Sequence, residues 1–282
     1  MQEKSKPVDN LRADAEKIIM RAIAAVLPDA TVERALKGKT FLGRVCLVAA
    51  GKAAWQMAHA ARACLQDNFC GGVVVTKYGH VKGEIANVAC FEGGHPVPDE
   101  NSLRGTDAAL ALTEDLTESG TVVFLLSGGG SALFEKPLLP LAELQDVTNQ
   151  LLAAGADIVE INTIRKRLSA VKGGRFARHC APAQVFAVVL SDILGDPLDM
   201  IASGPAYPDS SSCAQALDIA KRYGLRLSER AWALLAQETP KTLENVETQI
   251  TGSVRTLCAA AAETCNALGY EPLLLTDCLC CE

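Results

Sequence analysis

A length of 282 residues favours one large α/β domain, or one such domain with part of another, over three domains. A chain that is 49% hydrophobic but only 5% aromatic builds its core from Ala, Val, Leu and Ile, which is typical of a parallel sheet covered by helices. A net charge of −6, a polar amino terminus and the lack of any apolar run of about 18 residues predict a cytoplasmic protein without a nucleic-acid or membrane partner.

The 11 cysteines are scattered along the chain and odd in number, which favours free thiols over a disulfide framework. Cys278, Cys280 and Cys281 include a CxxC spacing near the end of the sequence. Because no second pair of ligands accompanies them, packing is favoured over metal binding.

Hydrophobic periodicity predicts helices that alternate with short buried strands. Strands are expected at residues 44–50, 72–76, 87–91, 122–126, 184–190, 248–251 and 272–276. Helices are expected at residues 10–27, 31–36, 53–61, 100–117, 213–223, 228–237 and 253–268, and with breaks over 141–180. This alternation predicts a Rossmann-like open, mostly parallel α/β sheet with helices on both faces.

A polar stretch at residues 239–247 predicts a domain boundary. We expect an α/β domain over residues 1–240 and the first βαβ piece of a second α/β domain over residues 241–282. That second unit stops without further strands to pair against, so the chain looks truncated.

The segment FLLSGGGSAL at residues 124–133 is the clearest candidate for a ligand site. Three glycines, Gly128, Gly129 and Gly130, follow a predicted buried strand, and Ser127 and Ser131 flank them. Successive glycine N–H groups at the carboxyl end of a strand can converge on phosphate or carboxylate oxygens. A tight turn without a ligand is the alternative, and the two flanking hydroxyls favour the anion site.

Lys52 follows the first predicted strand, where open α/β sheets place active-site groups. Taken in isolation it could equally be a solvated surface lysine. The sequence GKA at residues 51–53, which contains Lys52, is not a phosphate-binding loop of the Walker type. Cys46 stands where the leading glycine belongs, and Ala53 where the hydroxyl residue belongs. The later glycine loop also misses the dinucleotide pattern, since Leu133 stands where a third glycine belongs, which argues against a standard nicotinamide site.

Two further loops combine small residues with prolines. EGGHPVPDE at residues 92–100 contains His95, which could contact substrate or could brace the loop. IASGPAYPD at residues 201–209 contains the candidate binding residues Ser203 and Gly204. Both loops demand a fixed backbone path.

A basic stripe is expected on the helix around residues 160–170. Asn162, Arg165, Lys166 and Ser169 are spaced i, i+3, i+4, i+7, which places them on one helix face. A solvated surface and an anion-binding face both fit this pattern.

Asp192 follows the fifth predicted strand. A carboxylate there suits a Mg²⁺ ligand or a proton acceptor, although an aspartate often only caps its own loop. Lys52, the 92–100 loop, the glycine loop, Asp192 and the 201–209 loop are all predicted near strand ends, which indicates one shared site.

The chain resembles the glycerate 2-kinase family in five runs that occur in the same order: GKAAWQMA (51–58), EGGHPVPDENS (92–102), LLSGGGSAL (125–133), INTIRKRLSAVKGGR (161–175) and VLSDILGDPLDMIASGPAYPD (189–209). The resemblance implies phosphorylation of D-glycerate at its 2-hydroxyl, with ATP and Mg²⁺ as cofactors. Family members continue into a C-terminal MOFRL domain, so we expect this polypeptide to be inactive alone.

By this resemblance, Lys52 and Asp192 are the expected catalytic residues, with Asp192 also a candidate Mg²⁺ ligand. The glycine loop would donate N–H groups to an anion, and Arg165 and Lys166, with Asn162, would form the opposing cationic clamp. The alternatives are a hydroxypyruvate reductase, a name given to some family members, and a non-catalytic sugar-acid-binding fragment. A homodimer is left open.

Overall fold

The computed structural model describes residues 8–65, 67–191, 193, 195 and 197–278. The strands are β1 Val45–Ala50, β2 Phe69–Lys77, β3 Val88–Gly93, β4 Thr121–Leu126, β5 Gln184–Leu190 and β6 Val246–Gly252. The helices are α1 Val8–Ala25, α2 Pro28–Leu36, α3 Ala54–Cys64, α4 Glu100–Thr113, α5 Gly130–Leu133, α6 Leu141–Ala153, α7 Ile158–Arg167, α8 Arg175–Cys180, α9 Cys213–Arg222, α10 Glu229–Leu235 and α11 Val254–Ala267. A short 3-10 turn covers Ile201–Ser203.

The six strands form one parallel sheet in the order β3-β2-β1-β4-β5-β6. The winding therefore reverses between β1 and β4, the two central strands. In an open α/β sheet this reversal leaves a crevice at the carboxyl ends of the two strands, because their connections run to opposite sides. The predicted Rossmann-like α/β fold is confirmed.

Helices cover both faces of the sheet. β1 and β4 are buried along their whole length, and every residue in them except Thr121 is apolar. On one face α2 and α3 pack on the sheet around Met57, and on the other face Phe124 contacts the rings of Phe134 and Phe176. A third apolar cluster joins α6, α7, α9 and α10 beside the sheet. The site therefore stands on a rigid core.

The carboxyl-terminal part differs from its prediction. The strand predicted to open a second domain is β6, and it pairs in parallel with β5 as the outer strand of the main sheet. α11 then packs against α1, where the Tyr270 hydroxyl donates to Asp14 at 2.6 Å. The strand predicted at residues 272–276 is not formed. An apolar run predicts a strand but does not identify the strand it pairs with. The division at residues 240 and 241 stays a prediction.

Within the described residues, none of the helices combines the length and the apolar character that a membrane crossing requires.

Candidate active site

The loops that follow β1 and β4 are hydrogen-bonded to each other. The Lys52 N–H donates to the carbonyl of Gly128 at 2.8 Å, and the Ala53 N–H donates to Ser127 Oγ at 3.0 Å. The Lys52 side chain is exposed and borders an open cleft of about 390 Å³ whose lining includes His80 and Lys82 but no residue of the glycine loop. The hydrogen bonds of the Lys52 and Ala53 backbones therefore place the lysine beside the glycine loop, at one side of this cleft.

Gly129 lies at the centre of this arrangement. Its φ of +86° falls in the left-handed region, which glycine adopts without steric cost. A Cβ at this position would lie 2.9 Å from Cδ2 of His95 and 3.2 Å from Cγ of Lys52. The structure thus brings three sequence-predicted residues into contact, and a side chain on Gly129 would fill the space between them.

Two backbone donors of the glycine loop, the N–H groups of Gly128 and Gly129, have no hydrogen-bond acceptor among the described residues. Two successive glycine N–H groups next to a lysine form a concave donor site of the kind that binds phosphate or carboxylate. This arrangement fits the anion site that the sequence predicts.

The loop after β2 was missed by the sequence analysis. His80 Nδ1 lies 2.8 Å from the carbonyl of Lys52, and the Thr76 hydroxyl donates to the carbonyl of Gly51 at 2.9 Å. The Tyr78 hydroxyl donates to Asp99 at 2.7 Å, and this hydrogen bond raises the pKa of Tyr78. The strand-end rule that selected the other loops could have found this loop as well. Its His80 holds the backbone of Lys52 in place, in addition to the contacts with Gly128 and Ser127.

Ser131, Ser203 and Asn162 form a second group on the far side of the glycine loop. Ser131 Oγ and Ser203 Oγ are 3.3 Å apart, and the Ser203 hydroxyl donates to Asn162 Oδ1 at 2.7 Å. Ala202 and Ser203 adopt φ angles of 51° and 53°, a strained conformation for residues with side chains. Gly204 follows at φ 50°, packed against the backbone of Asp199. The glycine loop and the 201–209 loop thus meet here, as the strand-end argument predicts, and Asn162 of α7 joins them.

Arg165 and a lysine that the sequence analysis did not single out hold the end of the glycine loop. Arg165 Nη2 and Lys172 Nζ both donate to the carbonyl of Ser131, at 3.0 and 2.9 Å. The buried carboxylate of Glu135 lies 3.5 Å from each of these two cations. Burial lowers the pKa of Lys172 to about 8, although Glu135 partly opposes this shift. A basic stripe was expected here, either as a solvated surface or as an anion-binding face, and the buried acid that accompanies it had no signal in the sequence.

Lys166 does not join the clamp predicted with Arg165. Its side chain is fully buried, and Nζ donates to Asp199 at 3.1 Å and to Asp209 at 3.0 Å. Consecutive helical residues point about 100° apart, so Lys166 faces a different neighbour from Arg165. Burial alone would raise the pKa of Asp209, but the hydroxyl of Thr239 and the charge of Lys166 outweigh it and lower the pKa. Lys166 is thus part of a buried ion-pair network.

The metal prediction concerns a residue outside the described part of the chain. Asp192 lies outside it, although its neighbour Ser191 follows β5 at the same sheet edge and donates its N–H to the Gly252 carbonyl at 2.8 Å. Within the described ranges, no three His, Cys, Asp or Glu side chains gather into a metal-binding group. Of the cysteine cluster, Cys280 and Cys281 also lie outside these ranges.

Residues 14–236 match the protein family described as "Domain of unknown function (DUF4147)". A D-glycerate 2-kinase of Thermotoga maritima is 50% identical over 276 residues, which cover 97% of this chain and 66% of that protein. A putative hydroxypyruvate reductase of Agrobacterium vitis is 39% identical over 93% of this chain and 61% of its own length.

A crystal structure of a glycerate kinase from Thermotoga maritima has the same fold, with a TM-score of 0.89 at 50% identity. The match covers 93% of this chain and 63% of that one, so the chain spans about two thirds of the length of these relatives. The matching family, the relatives and the shared fold agree with the family that the sequence resembles. The chain belongs to the glycerate 2-kinase family.

Proposed function

We propose that the protein transfers the γ-phosphoryl group of ATP to the 2-hydroxyl of D-glycerate, giving 2-phosphoglycerate. One observation carries the proposal: the exposed Lys52 lies against the left-handed Gly129, beside two glycine N–H groups without an acceptor among the described residues. Phosphoryl transfer requires positioning and positive charge more than covalent chemistry from the protein. A lysine and backbone donors in one crevice supply both.

Each residue of the crevice has a role in this reaction. Lys52 neutralises charge on the transferred phosphoryl group, and the Gly128 and Gly129 N–H groups hold an anionic group of the nucleotide or of glycerate. Arg165 lies at the end of the loop, and its side chain is 13% exposed and lines a cleft with Pro96 and Gln145. A guanidinium group suits a carboxylate, so we assign Arg165 to glycerate.

Mg²⁺ fits this site only as a shared ion. Mg²⁺ is commonly bound by one or two carboxylates together with substrate phosphates, so the lack of a larger acidic group among the described residues is compatible with it. Asp192 would be its protein ligand, or else the acceptor of the hydroxyl proton. The metal would neutralise charge on the phosphates of ATP. Loss of Mg²⁺ dependence without loss of binding in Asp192→Asn supports the role of ligand.

A reductase is the competing reaction, because a relative carries that name and the strand order is that of dinucleotide-binding sheets. The glycine pattern of such sites is missing, however. Gly51, Lys52 and Ala53 follow β1, where the pyrophosphate loop would lie. The kinase is therefore the better-supported function.

Because this chain alone is expected to be inactive, a purified version extended by the C-terminal domain of the family distinguishes these functions in three measurements. ATP, Mg²⁺ and D-glycerate should release ADP and form 2-phosphoglycerate, detected by ³¹P NMR. Oxidation of NADH by hydroxypyruvate would instead establish the reductase. Binding of D-glycerate in calorimetry without transfer would support the non-catalytic fragment. If the protein binds neither D-glycerate nor ATP, the assignment of this crevice as the ligand site is overturned.

A further inference from the structure

Three charged side chains lie beneath the end of the glycine loop. The side chains of Glu135 and Lys172 are fully buried, and that of Arg165 is 13% exposed. Buried charges are costly to maintain unless they are paired, so their presence requires an explanation. We call Arg165, Glu135 and Lys172 the loop triad.

The loop triad acts on a single carbonyl. Arg165 Nη2 and Lys172 Nζ both donate to Ser131, and Lys172 also donates to the carbonyl of Phe134 at 3.0 Å. Both acceptors belong to the turn that begins with Gly129 and Gly130. The two cations therefore determine where the loop ends and how its N–H groups are aimed.

Glu135 contributes charge without a hydrogen bond. Its two carboxylate oxygens have no hydrogen-bond partner among the described residues, whereas Oε2 lies 3.5 Å from both cations. Two positive groups and one negative group leave one net positive charge under the loop. The neighbouring buried cations Lys166 and Arg167 are balanced separately by Asp199 and Asp209.

We propose that the loop triad gives the glycine loop a residual positive charge that holds the anionic substrate, with Lys172 as the positioning residue that carries this charge. Lys172 acts through Ser131 and does not need to touch the substrate. The proposal rests on the proposed function in one respect, namely that the glycine loop binds an anion.

The charge of Lys172 can be removed by a moderate increase in pH. Burial lowers its pKa to about 8, while Glu135 raises it and Arg165 lowers it. Above that pH the neutral amine keeps hydrogens for Ser131 and Phe134, but the triad becomes electrically neutral. Loss of one unit charge near a bound anion weakens binding on the order of tenfold.

Sulfate is the probe for the test, because its charge stays constant between pH 6.5 and 9.5. Calorimetry should show sulfate binding that weakens about tenfold as the pH rises through 8. Lys172→Met should bind sulfate weakly at every pH, with no step. Lys136→Met is the matched control, because Lys136 is close in sequence and pairs at the surface with Asp107. This variant should keep the step.

Glu135→Gln tests the charge balance of the loop triad by removing its negative charge. The variant removes the group that raises the pKa of Lys172, so the step should move to lower pH. If Lys172→Met does not fold, the position of the step in the wild type and in Glu135→Gln still decides the question. The proposal is overturned if Lys172→Met keeps the wild-type step, if Glu135→Gln leaves the step in place, or if the wild type binds no sulfate.

D-Glycerate, measured in parallel, separates this proposal from the kinase function. A sulfate step that depends on Lys172, without glycerate binding by this chain and without phosphoryl transfer by the version extended by the C-terminal domain, supports the loop triad and refutes the kinase. Phosphorylation of glycerate, together with a sulfate affinity that does not change with pH, supports the kinase and refutes the loop triad.

Discussion

Lys52 owes its position to backbone contacts that a substitution of its side chain leaves intact. Its N–H and carbonyl bind Gly128 and His80, so Lys52→Ala should fold as the wild type does. Removal of one charged donor from a phosphoryl-transfer site should lower kcat on the order of 10²-fold or more, with a smaller change in the KM for ATP. Steady-state kinetics of the version extended by the C-terminal domain measures both constants.

Lys82→Ala is the control for that experiment, because Lys82 is an exposed lysine of the same cleft. It should leave kcat within a factor of about two, as expected for a surface charge. Equal losses in the two variants would show that only the general charge of the cleft matters, and Lys52 would then have no specific role.

Gly129 allows a sharper comparison, since the chain contains a second left-handed glycine without neighbours. Gly129 has φ +86° and would place a Cβ against His95 and Lys52, whereas Gly155 has φ +75° with nothing within 4 Å. Either glycine replaced by alanine should lose about 1–2 kcal/mol of unfolding free energy from backbone strain. Only Gly129→Ala should also lose phosphoryl transfer or sulfate binding.

Thermal unfolding and the two binding or activity assays measure these effects. Activity retained in Gly129→Ala would show that the space between His95 and Lys52 is not needed by a ligand.

At the scale of elements, the connection from α7 to the segment 199–211 depends on a buried carboxylate. Asp209 accepts from Lys166 at 3.0 Å and from the Thr239 hydroxyl at 2.6 Å, and it lies 3.5 Å from Arg167. Asp209→Asn removes the carboxylate that Lys166 and Arg167 share and leaves only Asp199 beside Lys166 and Glu238 beside Arg167, so it should cost about 3 kcal/mol of unfolding free energy in urea titrations. Asp218→Asn is the control. Its side chain is 77% exposed, so the cost should stay below about 0.5 kcal/mol.

The effect of Asp209 should also depend on pH. Its pKa is lowered in the folded protein from the ordinary value of 3.8. The stabilising contribution is therefore complete above pH 3.8 and is lost as the pH falls through the lower folded value. The difference in stability between the wild type and Asp209→Asn should shrink on acidification, and a constant difference would contradict the ion-pair account.

Elements with a local signal were predictable from the sequence. The apolar runs of β1, β4 and β5 gave strand bounds within one residue, and Asp99 caps α4 as expected, with a capping box to Ser102. The roles of Lys166 and Lys172 were not predictable, because burial of a long cationic side chain depends on which remote acid meets it. For Lys172 that acid is Glu135, which lies in another segment.

At the scale of the whole molecule, β6 forms the outer strand of the main sheet and α11 packs against α1. A chain that ends at Pro240 would leave β5 with an unpaired edge and α1 without its partner α11. We expect such a chain to aggregate or to lose its cooperative thermal transition, followed by circular dichroism and size-exclusion chromatography. A chain that ends at Tyr270 keeps both elements and should unfold as the wild type does. If residues 1–240 unfold cooperatively at the wild-type temperature, the predicted division at 240 is right.

The sequence supported the assignment of an open parallel sheet, and hence one rim for the five candidate segments, but it did not contain the strand order. That order decides which loops touch. Lys52 contacts the glycine loop because β1 and β4 are adjacent, and the 92–100 loop reaches the same place although β3 is the edge strand. Hydrophobic periodicity indicates where a strand lies, but it does not identify the distant strand with which it pairs.

The hydrogen bond from the Lys52 N–H to the Gly128 carbonyl joins two segments that are far apart in the chain. The anion site beside this bond does not exist in the unfolded polypeptide, nor in any partly folded form in which β1 and β4 are not yet paired. An occupant therefore binds the native state alone, and at a hundred times its dissociation constant it adds about 2.7 kcal/mol to the free energy of unfolding. Metabolite supply in the cell would thus help to set how long each copy of the protein survives proteolysis.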